Sequence, residues 1–241
     1  MKKLIPLLLL SSLSLVACPT TPVVVADAKF RLVHASPDAG PVDLYVDDKR
    51  ISDAINIDFK GVYPKDAYST ISAASHKVEI CPTGSKTCYP AFTAKFESGK
   101  SYTLIAMGTK AATDDAAPTA RPLEIIPFTD NVAASSNAAN AKLRIIHAAS
   151  VVAADKVDVS VQTLTPTSTK VVNRNVFYKS AFDADEVAAG NIQVLVNATD
   201  AAKSLLIDSG TVTVAAGKVY TAVAVNPTLG AGGGVILLAD N

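Results

Sequence analysis

Val42, Leu44 and Val46 alternate with Asp43, Tyr45 and Asp47, and Val157, Val159 and Val161 alternate with Asp158, Ser160 and Gln162. A period of two with β-branched enrichment marks a strand with one face in a core. In the run from Lys29 to His34, Phe30, Leu32 and His34 project to one face, and Arg31 and Val33 to the other. Gly99-Lys100 and Gly217-Lys218 precede Tyr-Thr runs, as turns feeding strands. No stretch carries a helical period with caps. The alanine-rich VAASSNAAN at 132–140 has room for one helical turn and reads as a linker.

The pattern occurs twice. Lys29-Phe30-Arg31-Leu32-Val33-His34 matches Lys142-Leu143-Arg144-Ile145-Ile146-His147, and Val42-Asp43-Leu44-Tyr45-Val46 matches Val157-Asp158-Val159-Ser160-Val161. Ile71-Ser72-Ala73-Ala74 before His76–Ile80 parallels Val187-Ala188-Ala189-Gly190 before Ile192–Val196. Gly99-Lys100-Ser101-Tyr102-Thr103 parallels Gly217-Lys218-Val219-Tyr220-Thr221, and each copy closes on Asp-Asn, at Asp130-Asn131 and Asp240-Asn241. Landmarks in the same order indicate a duplication. Short strands with turn signals every 8–12 residues predict an all-β chain of two tandem antiparallel β-sandwich domains. The expected boundaries are a signal peptide over 1–17, a tether over 18–28, the first sandwich over 29–131, the linker over 132–140 and the second sandwich over 141–241.

The residues V-H-A-S-P-D-A, V-D-L-Y-V, the small-residue turn before V-E-I, and G-K-x-Y-T resemble the bacterial envelope family catalogued as domain of unknown function 4397. The first copy matches over residues 29–109; the second keeps the strands but reads His147-Ala148-Ala149-Ser150-Val151 in place of the Ser-Pro-Asp turn. The resemblance implies an Ig-like sandwich, tandem arrangement and a surface location, and no particular chemistry. A lipoprotein signal with tandem sandwiches also resembles accessory subunits of layered envelopes such as deinococcal S-layer assemblies.

The N-terminus, MKKLIPLLLLSSLSLVAC, has two lysines, an apolar run too short to span a bilayer and a small-residue cleavage site. Its Leu-x-Ala-Cys ending resembles the lipobox of bacterial lipoproteins, which implies lipidation of Cys18. Pro19, where an inner-membrane retention signal would have Asp, favours the outer membrane. Loss of Lys2 and Lys3 with the signal leaves the 22 basic side chains two short of the 22 acidic ones. That balance gives no electrostatic basis for nucleic-acid binding. Cys81 and Cys88, in CPTGSKTC, read as a disulfide pinning a hairpin loop in an oxidising compartment.

The chain has three histidines. Two readings of them compete. In one, His34 and its counterpart His147 hydrogen-bond loop carbonyls, loop amides or a carboxylate such as Asp38 or Asp43 while packing on the core edge, and no cofactor is held. In the other, His34, His76 and His147 with Asp38 ligate copper, and the chemistry resembles that of copper–zinc superoxide dismutases. Against copper stand the absence of an H-x-H pair and the placement of His34 and His147 in different copies. The aspartates Asp43, Asp47, Asp48 and Asp53 lack EF-hand spacing and read as solvated strand and turn carboxylates. Tyr63, Tyr68, Tyr89, Tyr102 and Phe92 are either core or an exposed recognition patch. No catalytic residue is assigned. The expected role is a lipid-anchored binding or structural module of the cell envelope, with the membrane and envelope proteins as partners and self-association left open. The alternative is a copper-dependent dismutase.

Overall fold

A computed structural model describes residues 26–110, 121–130, 133–150, 156–184, 186–226 and 234–241. The signal peptide, Cys18 and nearly all of the tether lie outside these residues. The described chain is all β, in open sheets. Its first half runs β1 (Ala28–His34), β2 (Val42–Val46), β3 (Lys49–Arg50), β4 (Val62–Tyr63), β5 (Ser69–Ile71), β6 (Ser75–Pro82), β7 (Phe92–Lys95), β8 (Ser101–Met107) and β9 (Glu124–Thr129). The second half runs β10 (Asn140–His147), β11 (Lys156–Leu164), β12 (Thr167–Phe177), β13 (Ala181–Asp183), β14 (Val187–Ala188), β15 (Gly190–Ala198), β16 (Leu205–Asp208), β17 (Val212–Val214), β18 (Val219–Val225) and β19 (Gly234–Ala239).

The order β4-β1-β8-β9, with β5 also on β1, recurs as β13-β10-β18-β19, with β14 also on β10. The partner sheets are β3-β2-β6-β7 and β12-β11-β15-β16, with β17 on β15. The halves differ most at β12, an eleven-residue strand where the first half has the two-residue β3.

One expectation is corrected. The sheets are not wholly antiparallel: β1 pairs with β8 in parallel, from Lys29↔Ser101 to His34↔Ala106, and β10 pairs with β18 in parallel, from Lys142↔Val219 to His147↔Ala224. After β1 the chain crosses to the other sheet and returns in the same direction as it left, a crossover that no hairpin supplies. Ala28, assigned to the tether, is fully buried and pairs with Ile71, and Asn140, assigned to the linker, opens β10 against Ala188.

Three apolar clusters hold the four sheets together. Phe30, Leu32, Leu44, Ile80, Phe96 and Leu104 fill the space between the first two sheets, and Leu143, Ile145, Val159, Val194 and Ile207 between the last two. The third cluster draws Val33, Ile105 and Met107 from the first half and Ile146, Val223, Val225 and Leu238 from the second. The sheets containing β1 and β10 are thus buried on both faces, which explains their nearly unbroken apolar runs. Sheets stack in the order outer, inner, inner, outer.

Candidate functional site

Each of the three imidazoles has its own surroundings. His34 ends β1 fully buried, its Nε2 donating to the Gly40 carbonyl at 2.8 Å while Nδ1 takes a long bond from the Ser36 amide at 3.4 Å. Burial pushes its pKa down, so the ring is neutral. Asp38, in the same loop, accepts from the Lys110 amide at 2.8 Å and from the Ser36 hydroxyl at 3.3 Å. His76 sits 2.7 Å from Asp47 through Nδ1 and 2.9 Å from the Ser72 hydroxyl through Nε2, with its ring against Phe96. His147 is buried, meets the Tyr178 ring edge-on, and among the described residues finds no hydrogen-bond partner for either ring nitrogen. Burial lowers its pKa to about 4. Among the described residues, no group of three or more His, Cys, Asp and Glu side chains is placed to hold a metal ion.

The aspartates tie loops down. Asp43 is enclosed rather than solvated, which corrects the expectation: its carboxylate accepts from the Asn56 amide and the Thr83 hydroxyl, each at 2.9 Å. Asp158 does the same for the Asn175 amide at 3.0 Å and takes the Lys203 ammonium at 2.8 Å. Both asparagines stand in the left-handed region, at φ 53° and 55°, where Asn is among the few tolerated residues. The second-strand aspartate of each half therefore anchors a strained corner that returns the chain to the inner sheet. Asp53 accepts from the Tyr63 hydroxyl at 2.9 Å, and Asp47 and Asp48 hold Lys77. Cys81, buried at the end of β6, is disulfide-bonded to Cys88. Tyr63 and Tyr102 are buried in the first core with Tyr89 and Phe92 packed beside them, so these aromatics serve the core rather than an exposed patch.

The most highly charged buried arrangement lies between the halves. Arg31 leaves β1 and donates to Thr103 through Nε at 2.9 Å, to the Ala239 carbonyl at 2.9 Å, and to Asp240. Arg144 leaves β10 and donates to Thr221 at 3.2 Å, to the Thr129 carbonyl at 2.6 Å, and to Asp130. Thr103 in turn donates to Asp130, and Thr221 to Asp240. Each arginine thus grips the aspartate that closes the other half. Asp130 also accepts from Tyr68 at 2.7 Å, and the Arg31 guanidinium lies 4.7 Å from the centre of the Tyr68 ring. Burial raises the Asp240 carboxyl above the ordinary carboxylate range, against the pull of Arg31. Two cations and two anions, all nearly inaccessible, cancel in formal charge.

The profile of the family described as Domain of unknown function (DUF4397) matches residues 28–160, more than half of the chain. The chain belongs to this family. The match begins at β1 and ends in β11, so it crosses the expected linker. Among curated proteins, none is similar to this DUF4397 chain at a meaningful level. Solved structures overlap it loosely. A candidate cell adhesion protein of Bacteroides uniformis is 8% identical, over 89% of this chain and 98% of that one, at a TM-score of 0.29. CBMbc, a family CBM26 protein from Eubacterium rectale solved with maltoheptaose, is 10% identical over 88% and 97%, at 0.24. A DUF3823 family protein of Bacteroides ovatus is 14% identical over 78% and 98%, at 0.23.

Sequence reasoning about this DUF4397 chain passed over Arg31, Arg144, Asp130 and Asp240 as a group. The signal was present: an arginine interrupts the apolar run at the same place in each half, at Arg31 and Arg144, and Asp-Asn follows at Asp130-Asn131 and Asp240-Asn241. A charge kept inside a strand buried on both faces requires a buried partner.

Proposed function

We propose that this chain is an exported, lipid-anchored binding or structural module of a cell-envelope assembly, built from two tandem Ig-like copies of the DUF4397 domain. The observation that carries the reading is the reciprocal lock of Arg31 on Asp240 and Arg144 on Asp130 over a shared apolar core. Such a lock joins the two copies into one rigid body and leaves their outer sheets, loops and sheet edges for partners. Family membership and the Cys81–Cys88 disulfide support an oxidising, envelope location. Lipidation at Cys18, delivery to the outer membrane and membership of a layered surface assembly rest on the sequence resemblances given above.

The test is metabolic labelling with radioactive palmitate, followed by membrane fractionation of the wild-type chain and Cys18→Ala. The reading expects label in the wild-type envelope fraction, and an unlabelled variant released from the membrane. An unlabelled wild-type chain overturns the lipid anchor, and recovery of the wild type in the cytoplasm overturns the envelope role.

A further inference from the structure

The two halves repeat each other closely enough to expose one missing charge. In the second half Lys179, whose amide donates to the His147 carbonyl at 2.9 Å, sits at φ 68° and forms an ion pair with Glu124 at the start of β9. In the first half Lys60, whose amide donates to the His34 carbonyl at 2.7 Å, sits at φ 69°. Its opposite strand is β19. Arg144 bonds the carbonyl of Thr129 and Arg31 that of Ala239, so the two strands are in the same register, and the position matching Glu124 is Gly234. The Lys60 ammonium lies 2.9 Å from where a Cβ on Gly234 would stand. Among the described residues Lys60 has no carboxylate partner.

Lys60 lines an open groove enclosing ≈ 530 Å³ between β4 and β19, with Ile55, Asn56 and Tyr63 on one wall and Leu237 and Ala239 on the other. The floor is the margin of the shared core, through Val62, Ile236 and Leu238. Among the described residues β19 is the last strand of its sheet. The amide of Asp240 bonds inward to Val219, so strand alternation turns the backbone groups of Val235 and Leu237 outward, towards the open edge. Of the groove's other charges, Arg31 is held by Asp240 and Asp53 by Tyr63, while Lys65, Asp58 and Asp66 sit at the rim.

We propose that the β4–β19 groove binds an extended acidic peptide segment of a partner protein, which adds along the open edge of β19 and places a carboxylate on Lys60. The ligand's carboxylate takes the place that Glu124 occupies beside Lys179. Outward backbone groups on β19 favour a peptide over an acidic glycan, because a peptide satisfies the edge and the ammonium together. The inference rests on the binding role proposed above and names its ligand. It is tested on purified protein, so its failure leaves the labelling result intact.

The experiment measures fluorescence anisotropy of a labelled Gly-Thr-Val-Glu-Val-Thr-Gly peptide with the full chain, beside the same peptide carrying Gln for Glu. Expected is saturable binding of the acidic peptide and at least tenfold weaker binding of the amide peptide. Lys60→Gln should weaken the acidic peptide at least tenfold. Gly234→Glu should do the same by supplying the carboxylate in cis; that glycine's φ is ordinary, and the new Cβ crowds only the flexible end of Lys60. In the second variant a rise in melting temperature shows that the fold is intact and the new pair formed. Absence of binding, equal binding of both peptides, undiminished binding by folded Gly234→Glu, or binding of trigalacturonate instead of the peptide overturns the proposal.

Discussion

His147 stands out at the residue scale because, among the described residues, its counterpart His34 has a hydrogen-bond partner and it has none. A buried imidazole with no partner loses the hydration of both nitrogens, a cost of roughly 1–3 kcal/mol per polar group. It also makes stability depend on pH. With a folded pKa of about 4 against 6.5 unfolded, the ring's contribution is complete above pH 6.5. As the pH falls, the unfolded chain takes up the proton first, and stability drops until the pH passes the folded value. At pH 5 the loss is about 2 kcal/mol. Asp240 works in the opposite sense, since its raised carboxyl takes up a proton on folding as the pH falls. Urea unfolding of the wild type and His147→Leu at pH 7.5 and pH 5 separates the two: the variant should match or exceed the wild type at pH 7.5 and lose about 2 kcal/mol less on going to pH 5. Equal losses would place the pH dependence elsewhere. The position of His34 and His147 at strand ends was legible from alternation. Which ring would find a carbonyl was not, because that depends on the path of the following loop.

At the scale of elements, the loop between β6 and β7 is closed by Cys81–Cys88, and its residue Thr83 donates to buried Asp43 in β2. Closing a loop of eight residues stabilises the fold by roughly 2.5 kcal/mol in the chain-entropy view. Cys81→Ser with Cys88→Ser should lower unfolding free energy by about that amount without changing the far-ultraviolet spectrum. A loss within error of zero would mean that Asp43 and the strand pairing alone organise the loop. The disulfide was readable from two cysteines among turn formers in a chain whose N-terminus reads as a signal for export. The burial of Asp43 was not, since an acidic residue on the alternate face of a strand reads as solvated until the corner carrying Asn56 is folded over it.

For the whole molecule, the shared core and the paired arginines predict one cooperative unfolding transition. Removing one member of a buried ion pair leaves its partner uncompensated, at about 3–5 kcal/mol. Arg144→Ala should therefore cost about 3 kcal/mol or more, although Thr103 and Tyr68 still donate to Asp130. Arg31→Ala with Arg144→Ala should divide the calorimetric transition into two, as the halves lose their lock but keep separate cores. A single transition with an unchanged midpoint would show that the apolar surface of Val33, Ile105, Ile146 and Val223 alone joins them.

The sequence by itself determined the strands, the repeated landmarks, the loop closed by Cys81 and Cys88 and the family resemblance. All of these are written in local periodicity or in spacing along the chain. Tertiary structure decided what each buried face meets. The alternation in Phe30–His34 shows two different faces, yet nothing local says that the face bearing Arg31 and Val33 packs on the second half. Parallel pairing of β1 with β8, and of β10 with β18, follows from crossovers that periodicity does not encode. The contrast between Lys179 on Glu124 and Lys60 over Gly234 exists only once residues more than fifty or more than a hundred and seventy positions apart become neighbours. Charges are assigned partners by distance in space, and only the fold sets that distance.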